Sequence, residues 1–129
     1  SGYLLLGQYL NQKKNTDKVQ GESFNFGPNS SQNKTVKELV NKYNKKLDFK
    51  KNKKNKIYEA KLLKLNCEKA KKILHWKPVL NFSELVNFTS SWYDNYYSKQ
   101  SPINNYNFAI RQIDEYQKIA KLKKIIWIK

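Results

Sequence analysis

His75 and Cys67 are the only histidine and the only cysteine in the chain, and they are the side chains best suited to proton transfer or nucleophilic attack near neutral pH. Neither has the company such chemistry needs. No serine or cysteine adjoins a histidine in a nucleophile motif. One histidine cannot build a histidine-based metal site. Four glycines are present, and none has the GxGxxG or GxxxxGK[ST] spacing that cradles phosphate. Ten carboxylates form no recognisable pair beyond helix caps and helix-face ions. His75 therefore reads as a helix-end surface residue rather than a general base, and Cys67 as a buried thiol in a reducing cytoplasm. On its residues alone this is a non-catalytic unit with no metal site.

The positive charge is the other chemical resource. The formal net charge is +16, but Arg111 is the only arginine among 26 basic residues. Readers of phosphate and base edges use the bidentate fork of arginine, which lysine lacks. Asn, Ile and Tyr are abundant beside the lysines, and their codons share a richness in A and T. Solvated lysine faces are thus expected before an anionic partner is. The run DFKKNKKNK reads as a basic surface loop over 48–56, in which only Phe49 offers a face for base stacking. The longest purely apolar run is YLLL, far short of a bilayer span.

The elements that hold these groups follow from periodicity. Tyr3, Leu6 and Leu10 recur at helical spacing, with Leu5 and Tyr9 beside them, so the chain opens on a helix that Gly2 and Gly7 weaken. A helix this apolar must pack on something, and the chain is expected to have been cut from a longer one. Phe24 and Phe26 alternate before Gly27-Pro28, which predicts a short strand and a turn. Thr35 and Glu38 have capping-box spacing, and Val36, Leu39, Val40, Tyr43 and Leu47 form an apolar stripe behind them. Ile57 to Leu65 reads as a strand or extended segment. Asn66 is expected to cap a helix whose Cys67, Ala70, Ile73 and Leu74 share a face, and Pro78 forbids its continuation. Asn81 and Glu84 repeat the capping spacing before Leu85, Phe88, Trp92 and Tyr96. A last amphipathic segment carries Tyr106, Ala109, Ile110, Ile113 and Tyr116, ahead of a terminal tail at 123–129. The expected class is α+β, helix-rich, with 129 residues in a single unit.

The order of these pieces carries more than any one of them. NFGP, the capped TVKELV helix, a variable loop, EAKLLKLNCEKAKKILHWKP and a helix ending SSWYDNYY together resemble the C-terminal, substrate-binding portion of an extended short-chain dehydrogenase/reductase. Within that sugar-nucleotide family, the opening SGYLLLGQYL, the LKLNC stretch and the late QIDEYQK are most similar to the CDP-glucose 4,6-dehydratases. The similarity runs in order over nearly the whole chain. Three positions depart from it. His75 stands where the family has glycine in its LGWxP pattern, Tyr58-Glu59-Ala60 replaces His-Glu-Ala, and Asn66 replaces Asp.

The resemblance implies a parent enzyme that binds NAD on an upstream Rossmann domain, absent from this chain. In such an enzyme the hydride leaves C4 of the glucosyl unit for the nicotinamide. Water is then eliminated across C5 and C6, and the hydride returns at C6 to give CDP-4-dehydro-6-deoxyglucose. It implies that this segment, inactive alone, supplies part of the sugar-nucleotide pocket, with Tyr58 and Glu59 as substrate-binding residues. The parent would be cytoplasmic and a homodimer. Two other readings remain open at this level. One is another sugar-nucleotide dehydratase or an epimerase of the same family. The other is a basic module for nucleic acid or an anionic surface.

Overall fold

The computed structural model describes residues 1–12, 16–43 and 64–125, the side chains of Thr16 and Ser30 excepted. Six helices account for most of them: α1 (Gly2–Leu10), α2 (Thr16–Val19), α3 (Val36–Tyr43), α4 (Glu68–Leu74), α5 (Phe82–Tyr97) and α6 (Pro102–Leu122), with a 3-10 turn at Ser30–Gln32. The described residues contain no strand, which corrects the α+β expectation for this part of the chain. Residues 22–29 are irregular, and the alternation of Phe24 and Phe26 serves packing instead of a ladder. A strand needs a partner to satisfy its N–H and C=O groups. The described residues supply none. Most of the second expected strand, residues 57–63, and the basic loop at 48–56 lie outside them.

The core joins the start of the chain to its middle. Leu5, Val19, Cys67, Ala70, Leu74 and Trp76 are buried together, flanked by Leu6, Tyr9, Phe24, Phe26 and Ile73. Cys67 is buried as expected. On α1 the buried face is that of Gly2 and Leu5, whereas Tyr3 and Leu10 of the expected stripe are exposed. Phe26 explains the choice: its ring lies against the backbone of Gly2, edge-on to Tyr3 at 5.4 Å and to Trp76 at 5.1 Å. Gly2 is thus a close-approach position, and its cost in helix propensity is offset by the ring it admits.

Caps follow the sequence closely. Glu38 N–H donates to Thr35 Oγ1 at 3.2 Å, and Thr35 N–H donates to Glu38 Oε2 at 2.8 Å. Asn81 and Glu84 close the same box on α5 at 2.9 and 2.7 Å. Asn66 Oδ1 accepts from Glu68 N–H at 2.9 Å, so it supplies the cap one residue ahead of the helix boundary at Cys67. The cap of α6 was not anticipated. Ser101 Oγ accepts from Asn104 N–H at 3.3 Å and Pro102 occupies the first turn, a readable Ser-Pro start.

Packing follows hydropathy less well. Val36, Leu39 and Tyr43 are exposed, no residue of α3 is buried, and Leu47 lies outside the described residues. In the α5–α6 hairpin Val86 and Ala120 are buried, while Leu85, Tyr96, Tyr106, Ile110 and Ile113 are exposed. The seam between the two helices is built from amides. Gln112 Nε2 donates to the Phe88 carbonyl at 2.8 Å and to Ser91 Oγ at 3.1 Å, and Asn95 Nδ2 donates to Asn105 Oδ1 at 2.7 Å. These bonds turn the Asn105–Gln112 face inward and rotate the apolar stripe of α6 toward solvent.

Candidate functional site

Tyr58 and Glu59 lie outside the described residues. The end of the same segment is described, and it meets the NFGP turn. Asn25 Nδ2 donates to the Asn66 carbonyl at 3.3 Å. A Cβ on Gly27 would sit 3.4 Å from Cys67 Sγ and 3.7 Å from Leu65, so glycine lets the two segments lie side by side. Two sequence motifs far apart in the chain are thereby brought together, Asn25 and Asn66 being 41 positions apart.

A cleft of about 340 Å³ opens where they meet, lined by Pro28, Lys64, Leu65, Asn66, Cys67, Glu68 and Lys71. Lys71 Nζ is paired to Glu68 Oε1 at 2.9 Å. That pair holds the exposed Glu68 carboxyl below the usual carboxylate range, and Lys72 and Lys64 add to the effect. The mouth of the cleft is therefore cationic, with one carboxylate already ionised and engaged. Such an arrangement can receive an anionic oxygen or a hydroxyl-rich group.

The turn that ends α4 sets the direction of the chain away from this cleft. His75 adopts φ 51° and ψ 26°, the left-handed region. The following Trp76 N–H donates back to the Ala70 carbonyl at 3.3 Å, and the Trp76 ring is buried. The His75 side chain is exposed, as a helix-end residue would be. Among the described residues no cluster of His, Cys, Asp and Glu is placed to hold a metal ion.

No family model, curated protein or solved structure matches this chain.

A second, larger groove of about 730 Å³ lies between α1, α5 and α6. Leu4, Phe88, Trp92, Ala109, Ile113, Tyr116 and Lys121 are among the described residues that line it. Tyr116 donates its hydroxyl to Ser1 Oγ at 2.8 Å, and partial burial raises its pKa against the effect of that bond. The groove is a packing surface by composition.

Several lysines have local partners. Lys69 pairs with Glu22 and lies 5.1 Å above the Phe24 ring. Lys34 pairs with Glu38 at 2.9 Å. Lys123 donates to the Val79 carbonyl at 2.8 Å and pairs with Glu84, which ties the start of the terminal tail to the α5 cap. No described helix is long and apolar enough to cross a membrane.

Proposed function

We propose that this chain is the C-terminal, substrate-side portion of an NAD-dependent sugar-nucleotide dehydratase, with CDP-glucose as the substrate. The observation that carries the reading is the end of α4. A left-handed residue, a buried Trp76 and a Pro78 follow one another there. That backbone is the one a glycine would favour, and glycine is the residue that the resembled LGWxP pattern has at this position. The conformation thus supports the resemblance at the position where the residue type departs from it.

The chain has no GxGxxG or GxxxxGK[ST] spacing to cradle a dinucleotide. At the starts of α3, α5 and α6, Thr35, Asn81 and Ser101 each take up one N–H that a pyrophosphate could have used. NAD is assigned to an upstream Rossmann domain. This chain's part is to bind and orient. The cleft offers the Lys64 ammonium to a nucleotide diphosphate, Lys71 being paired with Glu68, and Tyr58 and Glu59, a few residues earlier in the sequence, are assigned to the sugar nucleotide.

Calorimetric titration of the chain joined to its upstream domain tests this. CDP-glucose is expected to bind more tightly than glucose 1-phosphate, and Lys64→Ala or Glu59→Gln to weaken it. Equal, weak binding of every anion would favour the basic-module reading instead. Preference for dTDP- or GDP-glucose would keep the family and change the substrate.

A further inference from the structure

Tyr9, Lys18, Lys72, Ile73 and His75 line a pocket of about 250 Å³ where the end of α1, α2 and the end of α4 meet. The core fixes its walls. Val19 and Leu74 are 2% and 1% exposed in the common cluster, and they directly follow Lys18 and Ile73 in the chain. Tyr9 and Ile73 pack against that cluster as well. Lys18, Lys72 and His75 are exposed, whereas Tyr9 is half-buried. The pocket shares no lining residue with the cleft at the opposite end of α4.

We propose that this pocket binds a dianionic phosphoryl group, either free phosphate or a small phosphate monoester. The donor set is the first argument. Two ammonium groups, an imidazole and a phenol can all donate hydrogen bonds, and no carboxylate is among the described residues that line the pocket. Charge balance is the second. Lys34, Lys69, Lys71 and Lys123 each have a carboxylate partner, but no ion pair to Lys18 or Lys72 is found among the described residues. A cation near a helix C-terminus complements the helix dipole, which accounts for Lys72 taken by itself. It does not account for Lys18, which a different helix brings to the same pocket. A bound anion offsets the repulsion between the two ammonium groups. Size is the third. A volume of about 250 Å³ falls below the roughly 300–1,000 Å³ of sites for drug-sized ligands, so it suits a phosphoryl group rather than a whole nucleotide. His75 adds a fourth. Its left-handed backbone is one that glycine takes freely, yet the position keeps an imidazole, and that residue lines the pocket.

The inference does not rest on the sugar-nucleotide reading, and it concerns a different end of α4. His75 is the only histidine, so its ring Cε1–H proton gives one isolated NMR signal in the chain. Titration with inorganic phosphate at neutral pH and about 0.15 M sodium chloride, where long-range charge attraction is screened, is expected to move that signal saturably. Lys18→Ala and Lys72→Ala are each expected to weaken the response about three- to tenfold. Lys118→Ala, which removes the same charge from an exposed site on α6, is expected to leave it unchanged. Equilibrium dialysis with labelled phosphate extends the test to His75→Gly, which is expected to bind more weakly although its backbone is relieved. Phenyl phosphate binding as tightly as phosphate would assign the site to a monoester, and a preference for phosphate would assign it to the free ion. An unsaturable shift, equal losses in Lys118→Ala and Lys18→Ala, or a response to oligonucleotide phosphodiesters alone overturns the proposal.

Discussion

The ring of Phe26 occupies the space where a side chain on residue 2 would stand, so Gly2 and Phe26 are mutually exclusive with any larger residue at the helix start. Gly2→Ala must displace that ring or the helix. Overpacking of this kind costs about 1–3 kcal/mol, against a helix-propensity gain of about 1. A net loss is expected in urea unfolding. Gly7 is the control, since nothing lies within 4 Å of a Cβ there. Gly7→Ala is expected to stabilise the protein by about 1 kcal/mol.

His75, Lys99 and Lys124 all take positive φ, at 51°, 59° and 51°, each just beyond a helix. A side chain in that region carries a steric cost of about 1 kcal/mol, which glycine avoids. His75→Gly is expected to raise the stability to urea by no more than about 0.5 kcal/mol, once the extra freedom of glycine in the unfolded chain is counted. A loss of stability would mean that the imidazole has a role that its exposure does not show.

The amide seam should matter more than the exposed apolar residues beside it. Gln112→Ala removes two hydrogen bonds between α5 and α6 and is expected to cost about 1–2 kcal/mol. Ile110→Ala, on the solvent side, is expected to cost less than about 0.5 kcal/mol. Thermal unfolding of the two variants checks the order.

Acid should loosen the helix starts. The Thr35 N–H, then Lys34, lower the Glu38 carboxyl from 4.5 to about 2. Lys123, then the Asn81 N–H, lower that of Glu84. A carboxyl whose pKa is lower folded than unfolded contributes stability above its unfolded pKa. That contribution is lost as pH falls through the folded one. For Glu38 the window runs from 4.5 down to about 2. Urea midpoints are expected to fall across it, and Glu38→Gln or Glu84→Gln to flatten the profile.

Local chemistry was the legible part of this fold. Thr35 with Glu38, Asn81 with Glu84, Asn66 and Pro78 each act within a few residues, and each was read from spacing alone. The helical class of α1 was legible, but its buried side was not, because Phe26 chooses Gly2 and that contact is long-range. The stripe on α6 misled because hydropathy ranks isoleucine above glutamine as a core residue. The Gln112 and Asn105 amides reverse the order by bonding across the seam, Gln112 to Phe88 and Ser91 and Asn105 to Asn95. A strand at Phe24 and Phe26 depended on a partner that the described residues do not contain. The candidate cleft was partly legible: NFGP and LKLNC were both singled out, whereas their meeting through Asn25 and Gly27 needed coordinates. Tyr58 and Glu59, assigned through the resemblance, fall outside the described residues.

The central claim is that this chain completes a sugar-nucleotide site and performs no reaction itself. Incubate CDP-glucose and NAD with the upstream domain alone, with this chain alone, and with the two joined, and follow the 4-keto product. Turnover by the joined protein only is the predicted result. Turnover by the isolated chain, or by the upstream domain without it, would contradict the account.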